Sequence, residues 1–154
     1  MKQLLIKLII PLTILSFTLF TKWWYALPVD APDTMFIGFP LPFVCEGWHT
    51  SLSLQIFVTE FVIDFCVYFL FWFIVIFCIN RFFKKIKLPK AITWLLWIPT
   101  VLILIWKTFW AANPDNIITI KRPFKIDVME TGYTFGTRSP ERPNYYKYHP
   151  NPKK

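Results

Sequence analysis

The sequence predicts an all-α integral membrane protein with three transmembrane helices. The chain has 154 residues, of which 55% are hydrophobic, and its mean hydropathy is +0.45. Its apolar residues occur in long blocks rather than in helical stripes, and about 20 apolar residues suffice for a helix to cross a bilayer. We therefore predict a membrane domain over residues 1–111 and a basic tail over residues 112–154.

The first apolar block predicts a transmembrane helix over residues 8–26. It follows the basic start MKQLLIK and ends in Trp23, Trp24 and Tyr25, which are typical of the aromatic belt at a membrane interface. A secretory signal peptide has a similar basic start and apolar run, but the small-x-small cleavage pattern is missing here. We therefore favour an uncleaved span.

The stretch over residues 28–50 predicts a loop outside the cytoplasm. It contains four prolines, two glycines and an apolar, aromatic centre over residues 35–44. Closely spaced prolines disfavour regular structure. We expect an irregular, proline- and aromatic-rich segment that lies on the membrane surface or over the helices.

The second apolar block predicts the central span over residues 53–80, and it carries two carboxylates. In a helix with 100° per residue, four polar side chains of this block point within roughly 80° of one another and form one polar stripe. These are Ser53, Glu60, Asp64 and Tyr68. An ionised side chain is costly in hydrocarbon, so the stripe is expected to face protein or water.

The third apolar block predicts a span over residues 91–111 and also indicates the orientation. It follows a segment with five basic residues and no acid, namely Arg81, Lys84, Lys85, Lys87 and Lys90. Short Lys- and Arg-rich loops remain in the cytoplasm. The small size and layout are typical of the bacterial inner membrane, so we predict that location, with a cytoplasmic N-terminus and an extracytoplasmic C-terminus.

The basic tail predicts little regular structure. Residues 117–121 and 124–129 alternate well enough for two short strands, and GYTFG at 132–136 predicts a turn. The final stretch, residues 138–154, has four prolines and many charges, which predicts disorder.

The polar stripe supports three hypotheses. Lys107 shares a helix face with Thr93 and Thr100, and it could form an ion pair with Glu60, while Asp64 bonds to Tyr68 or Thr100. Alternatively, two close carboxylates in a low dielectric form a proton or cation site. In the third hypothesis the acids face a partner subunit.

A second candidate site is the group Cys45, Glu46 and His49, whose side chains are all possible metal ligands. The signal is weak because no second Cys or His lies nearby, and a Trp and His at a helix entrance more often pack at the interface. Cys66 and Cys78 lie too far away to form a disulfide with Cys45.

The overall expectation is a non-enzymatic accessory or assembly subunit of a membrane complex, without a cofactor. The chain contains no nucleotide-binding, metalloprotease or hydrolase motif, and membrane orientation explains its net charge of +8 better than nucleic acid does. The predicted partners are the lipid bilayer and either another protein or a second copy, held through the face of Glu60 and Asp64. The alternatives are a subunit of a proton- or cation-handling channel or transporter, and a metal-binding or enzymatic membrane protein.

Overall fold

The structure, a computed structural model, describes residues 2–29, 32–50, 52–83, 85–86, 88–136 and 145–148. Within these ranges the chain forms helices and one mixed β-sheet. The helices are α1 (Lys2–Leu19), α2 (Val58–Phe83), α3 (Lys90–Ala111) and the short α4 (Tyr145–Tyr148). The strands are β1 (Phe20–Pro28), β2 (Thr34–Ile37), β3 (Val44–Glu46), β4 (Leu54–Phe57), β5 (Ile117–Thr119) and β6 (Ile126–Phe135).

The six strands overturn the prediction of an all-α protein. They form one sheet in the order β5-β4-β3-β2-β1-β6. Neighbouring strands are antiparallel, except that β5 runs parallel to β4. The prediction extended two apolar helices through β1 and β4 and assigned β2 and β3 to a loop, because strand pairing depends on partners outside the local segment. β1, for example, pairs with β6 at the opposite end of the sequence.

The first predicted span, residues 8–26, is too long at its C-terminal end. Helix α1 ends at Leu19, and the aromatic segment assigned to the membrane interface is strand β1. Tryptophan, tyrosine and phenylalanine favour the pleated surface of a strand when neighbours are present to pack against. Here Trp23 lies between Ile37 of β2 and Gly132 of β6.

The loop predicted over residues 28–50 contains two of the strands, and the central span begins later than predicted. β2, β3 and β4 form an antiparallel meander, and helix α2 starts at Val58 instead of Ser53. Leu54–Phe57, which was predicted to be helical, is β4. The alternation of buried and half-buried side chains in LQIF is the local sign of a strand.

The tail is more ordered than predicted up to residue 136. β5 lies within the first predicted strand, but β6 continues through the GYTFG segment, where a turn was expected. Of the stretch predicted to be disordered, residues 145–148 form α4. The remainder, residues 138–144 and 149–154, lies outside the described residues.

The three long helices are each long and apolar enough to cross a membrane. α1 packs against both α2 and α3, and α3 matches its predicted span to within one residue. The ends of α1 and α3 and the start of α2 all connect to the sheet. We call this the sheet end of the bundle, and the opposite end, where residues 84–89 connect α2 to α3, the loop end.

The sheet and the bundle have separate buried clusters. Ala26, Phe36, Cys45 and Phe57 form the core of the sheet, and Phe124 packs against them. Towards the loop end, Leu4, Ile9 and Ile76 form the core between α1 and α2. Along the chain, Glu60, Asp64 and Tyr68 of the predicted stripe lie between Phe57 of the first cluster and Ile76 of the second, where the sheet meets the helices.

Candidate functional site

The predicted stripe on α2 faces the interior of the protein. Glu60, Asp64 and Tyr68 follow one another at intervals of four residues, which places them on one helix face. Their exposed fractions are 8%, 0% and 7%, whereas the residues between them are largely exposed apolar side chains. The same face continues through Trp72 and Ile76. Three of the four stripe residues therefore share the buried face of α2, and the fourth, Ser53, lies outside the helix.

Asp64 holds the loop between β2 and β3 against the bundle. Its Oδ1 accepts the backbone N–H of Leu41 at 2.9 Å. The loop can turn here because Gly38 has φ +153°, and a Cβ at that position would lie 1.9 Å from the Leu41 carbonyl oxygen. The loop also contains a cis peptide bond between Phe39 and Pro40. The expected partners, Tyr68 and Thr100, do not bond to Asp64.

Glu60 binds the segment that joins β5 to β6. Its Oε1 accepts the backbone N–H of Arg122 at 3.3 Å. The Arg122 Nε donates to the Phe124 carbonyl at 3.1 Å, and its Nη1 is buried without a hydrogen-bond partner among the described atoms. Arg122 was not among the predicted site residues. The available sign in the sequence was an arginine followed by Pro-Phe between two apolar segments. In the structure Arg122 is half-buried.

Tyr68 and Ser53 complete the stripe in unexpected ways. The Tyr68 hydroxyl donates to the Phe20 carbonyl at 2.6 Å, where α1 becomes β1. Ser53 precedes β4 rather than lying on a helix, and its hydroxyl donates to the Thr50 carbonyl at 3.0 Å. Glu60, Asp64 and Tyr68 thus fasten three different segments of the sheet region to one helix.

Lys107 is not part of this cluster. No ion pair joins it to Glu60, although both residues are described. Its exposed side chain lines a groove of about 440 Å³ between α1 and α3, together with Thr18, Leu19 and Trp106. The two helices that carry Glu60 and Lys107 both pack on α1, which keeps these side chains apart.

One oxygen of each carboxylate remains without a partner. Glu60 Oε2 and Asp64 Oδ2 are both buried, and neither accepts a hydrogen bond from any described group. A buried, unpaired carboxylate oxygen is costly unless the group is neutralised. The chemistry open to this arrangement is therefore hydrogen-bonded anchoring of backbone, with proton binding as the alternative.

The second candidate site, Cys45, Glu46 and His49, is not assembled as a metal centre. Cys45 faces the sheet core, whereas Glu46 and His49 are exposed. Cys45 and Glu46 are neighbours in β3, and successive side chains of a strand point to opposite faces of the sheet. Burial raises the pKa of the Cys45 thiol to about 12, the Glu46 carboxylate adds to the rise, and Arg122 opposes it. Within the described ranges, no three Cys, His, Asp or Glu side chains lie close enough to hold a metal ion.

Sequence reasoning missed the free edge of β6. The Gly38 N–H donates to the Lys22 carbonyl, so the backbone groups of Lys22 point towards β2. Its neighbours along β1, namely Thr21, Trp23 and then Tyr25, therefore point their backbone groups towards β6. In the antiparallel pair, successive residues of a strand point their backbone N–H and C=O groups to opposite sides. In β6, the backbone groups of Thr131 and Tyr133 therefore point to the outer edge. No described segment pairs with them there. The signal was present in VMETGYTF, but its glycine suggested a turn.

Helix α4 lies against β6 through Glu130. This carboxylate accepts hydrogen bonds from the Tyr148 hydroxyl and from Lys147 Nζ, the latter at 3.1 Å. The Tyr148 bond and then the Lys147 bond hold the pKa of Glu130 below its usual range. A hydrogen bond to Tyr148 and then the bond to Glu130 raise the pKa of Lys147. Both groups are exposed, so the contact is weak and depends on charge.

Comparison with known proteins supplies no family for this fold and site. No protein-family model, curated protein or solved structure matches the chain.

Proposed function

We propose that this protein is a non-enzymatic accessory subunit of a complex in the bacterial inner membrane, with its N-terminus cytoplasmic and its sheet extracytoplasmic. Three apolar helices anchor it, and the sheet at their end binds an extended segment of another subunit. The observation that carries this proposal is the outer edge of β6, where the backbone groups of Thr131 and Tyr133 pair with no described segment.

An open strand edge offers unpaired N–H and C=O groups to another chain. Natural proteins block such edges with proline, lysine, charge or a bulge. The first half of β6 is protected by Asp127, Glu130 and an irregular register near Met129. The second half, Thr131–Phe135, carries no charge and no proline. This half is therefore the place for a partner strand.

The surroundings of this half suit a partner that is itself held at the membrane. Phe135 and Tyr133 are 77% and 59% exposed, and Tyr133 stacks on Phe20 at the end of α1. Aromatic side chains favour the membrane interface. The opposite edge is β5, which has only three residues and offers much less backbone.

Thr131→Pro tests the proposal directly. Proline removes the outward N–H but no bond to β1, so an edge strand tolerates it. We expect the variant to remain folded in mild detergent and to lose its partner from native membranes. Thr131→Val is the matched control, because valine retains the N–H and the β-branched shape.

A photo-crosslinking amino acid at Tyr133 supplies a second measurement, with Ile118 on β5 as its control position. We expect one discrete adduct from Tyr133 and none from Ile118. Equal adducts from both edges, no adduct from Tyr133, or a complex unaffected by Thr131→Pro would each contradict strand addition at β6.

A second candidate function is proton or cation handling by Glu60 and Asp64. The observation in its favour is the pair of buried oxygens, Glu60 Oε2 and Asp64 Oδ2, that have no partner among the described groups. Carboxylates inside a membrane frequently relay protons. We rank it second because the other oxygen of each group is already engaged by backbone N–H, as a structural anchor requires.

A further inference from the structure

The loop end of the bundle contains a cleft of about 740 Å³, where the start of α1, the end of α2 and the segment before α3 meet. Lysine side chains line it from two of these elements. Lys2 and Lys7 belong to α1, and Lys85 belongs to the connecting segment. Gln3 and Asn80 also line the cleft, and their amide NH2 groups are hydrogen-bond donors.

No acidic residue balances these lysines. The chain contains no Asp or Glu before Asp30 and none between Asp64 and Asp115, so every formal side-chain charge near the loop end is positive. The described lining of the cleft likewise contains no acid. Several cations that share a cleft without a counter-charge attract an anionic ligand.

The wall of the cleft is apolar. Leu4, Ile86 and Leu88 line it. Leu4 belongs to the buried cluster between α1 and α2, and the partly buried Ile86 and Leu88 pack against that cluster. Asn80 Oδ1 accepts the Ile86 N–H at 3.1 Å, which fixes the connecting segment against the end of α2. Cations beside an apolar wall fit an amphiphile better than a small, fully hydrated anion.

We propose that this cleft binds the headgroup phosphate of an anionic phospholipid in the leaflet at the loop end. Lys2, Lys7 and Lys85 supply the positive charges, Gln3 and Asn80 supply neutral donors, and the first acyl carbons lie along Leu4 and Leu88. Basic clefts between membrane helices are suited to such headgroups. The proposal is independent of the sheet edge at the other end of the molecule.

Native mass spectrometry of the full chain in mild detergent tests this site. Equal amounts of phosphatidylglycerol and phosphatidylcholine are added, and the lipid that survives gentle activation is counted. We expect phosphatidylglycerol to be retained at least about fivefold more often, because its charge is not neutralised within the headgroup. Equal retention of the two lipids by the wild-type protein would overturn the proposal, whatever the variants do.

Two variants with the same loss of charge locate the binding. We expect Lys7→Gln/Lys85→Gln to reduce retained phosphatidylglycerol about fivefold, and Arg81→Gln/Lys90→Gln, outside the cleft lining, to change it by less than about twofold. Lys7→Arg/Lys85→Arg should bind like the wild type. An equal loss in both Gln variants would mean diffuse attraction to the basic surface.

Inorganic phosphate distinguishes a lipid site from a free-anion site. We expect millimolar phosphate to leave phosphatidylglycerol bound, because phosphate gains nothing from the apolar wall. Displacement of the lipid by phosphate, or retention of phosphate itself in the wild-type protein, would contradict a lipid site.

Discussion

Asp64 in the first third of α2 accepts the backbone N–H of Leu41 at 2.9 Å, and this bond joins the long apolar helix to the loop between β2 and β3. The carboxylate is fully buried. A charged residue inside an apolar helix is often a sign of transport, but here it satisfies a backbone donor in a segment that forms no regular structure. The same logic applies to Glu60 and the N–H of Arg122.

Substitutions at Asp64 separate hydrogen bonding from charge. Asp64→Asn retains an oxygen acceptor, so we expect the free energy of unfolding to change by less than about 1 kcal/mol. Asp64→Ala leaves the Leu41 N–H unpaired and should lower it by about 1–3 kcal/mol. Detergent-titration unfolding measures both. If both variants lower the free energy of unfolding by the same amount, the charge of Asp64 rather than its hydrogen bond stabilises the fold.

A flux measurement separates the two proposed functions. We expect proteoliposomes with the wild-type protein to carry no more protons than empty liposomes in a pH-gradient assay, because the acids act as anchors. Wild-type flux that Glu60→Gln or Asp64→Asn abolishes, in variants that still insert and fold, would establish the proton-handling alternative instead.

Gly38, in the loop between β2 and β3, should not tolerate a side chain. Its φ of +153° and the nearby Leu41 carbonyl exclude a side chain, so Gly38→Ala should cost more than about 1 kcal/mol of the free energy of unfolding. Gly136→Ala is the control, because Gly136 also has a positive φ (+82°) but nothing within 4 Å of a new Cβ. An equal cost for both would mean that the loop shifts easily.

Cys45 should be nearly inert in the folded protein. Burial raises the pKa of its thiol to about 12, so very little thiolate is present at neutral pH. We expect maleimide to label it at least about a hundredfold more slowly than a cysteine introduced at the exposed His49. The rate should rise only as the pH approaches 12. Rapid labelling without detergent unfolding would show that Cys45 is not in the sheet core.

The contact between α4 and β6 should hold only between two pH limits. The pKa of Glu130 is lowered, so its contribution is complete above the ordinary carboxyl pKa and disappears as the pH falls through the lowered value. The pKa of Lys147 is raised, so its contribution is complete below the ordinary value and disappears as the pH rises through the raised value. A fluorine label on Tyr148 reports this docking by NMR.

Glu130→Gln is the variant for that measurement. It should remove the acid limb of the titration, which is the loss of docking at low pH, because the amide cannot ionise. Asp127→Asn, at another carboxylate of β6, should leave both limbs in place. An acid limb that persists in Glu130→Gln would assign the titration to a different group.

Local pattern predicted three long apolar helices and a shared face for Glu60, Asp64 and Tyr68 on α2. Hydropathy over a window of about 20 residues identifies a long apolar helix whatever the rest of the chain does, and the third helix, Lys90–Ala111, lies within one residue of its predicted bounds. The 3.6-residue period likewise placed Glu60, Asp64 and Tyr68 on one buried face. Both inferences use only residues that are close in sequence.

Only the tertiary structure decided the sheet and the partners of the buried carboxylates. β1 looked like the end of a helix because its partner, β6, lies at the other end of the chain, and strand pairing depends on such distant neighbours. Asp64 and Glu60 were matched to side chains on helices, but loop N–H groups bind them, and every residue except proline carries one. Hydrophobic patterning therefore reveals where a segment is buried, whereas hydrogen-bond partners depend on which distant segments fold back upon it.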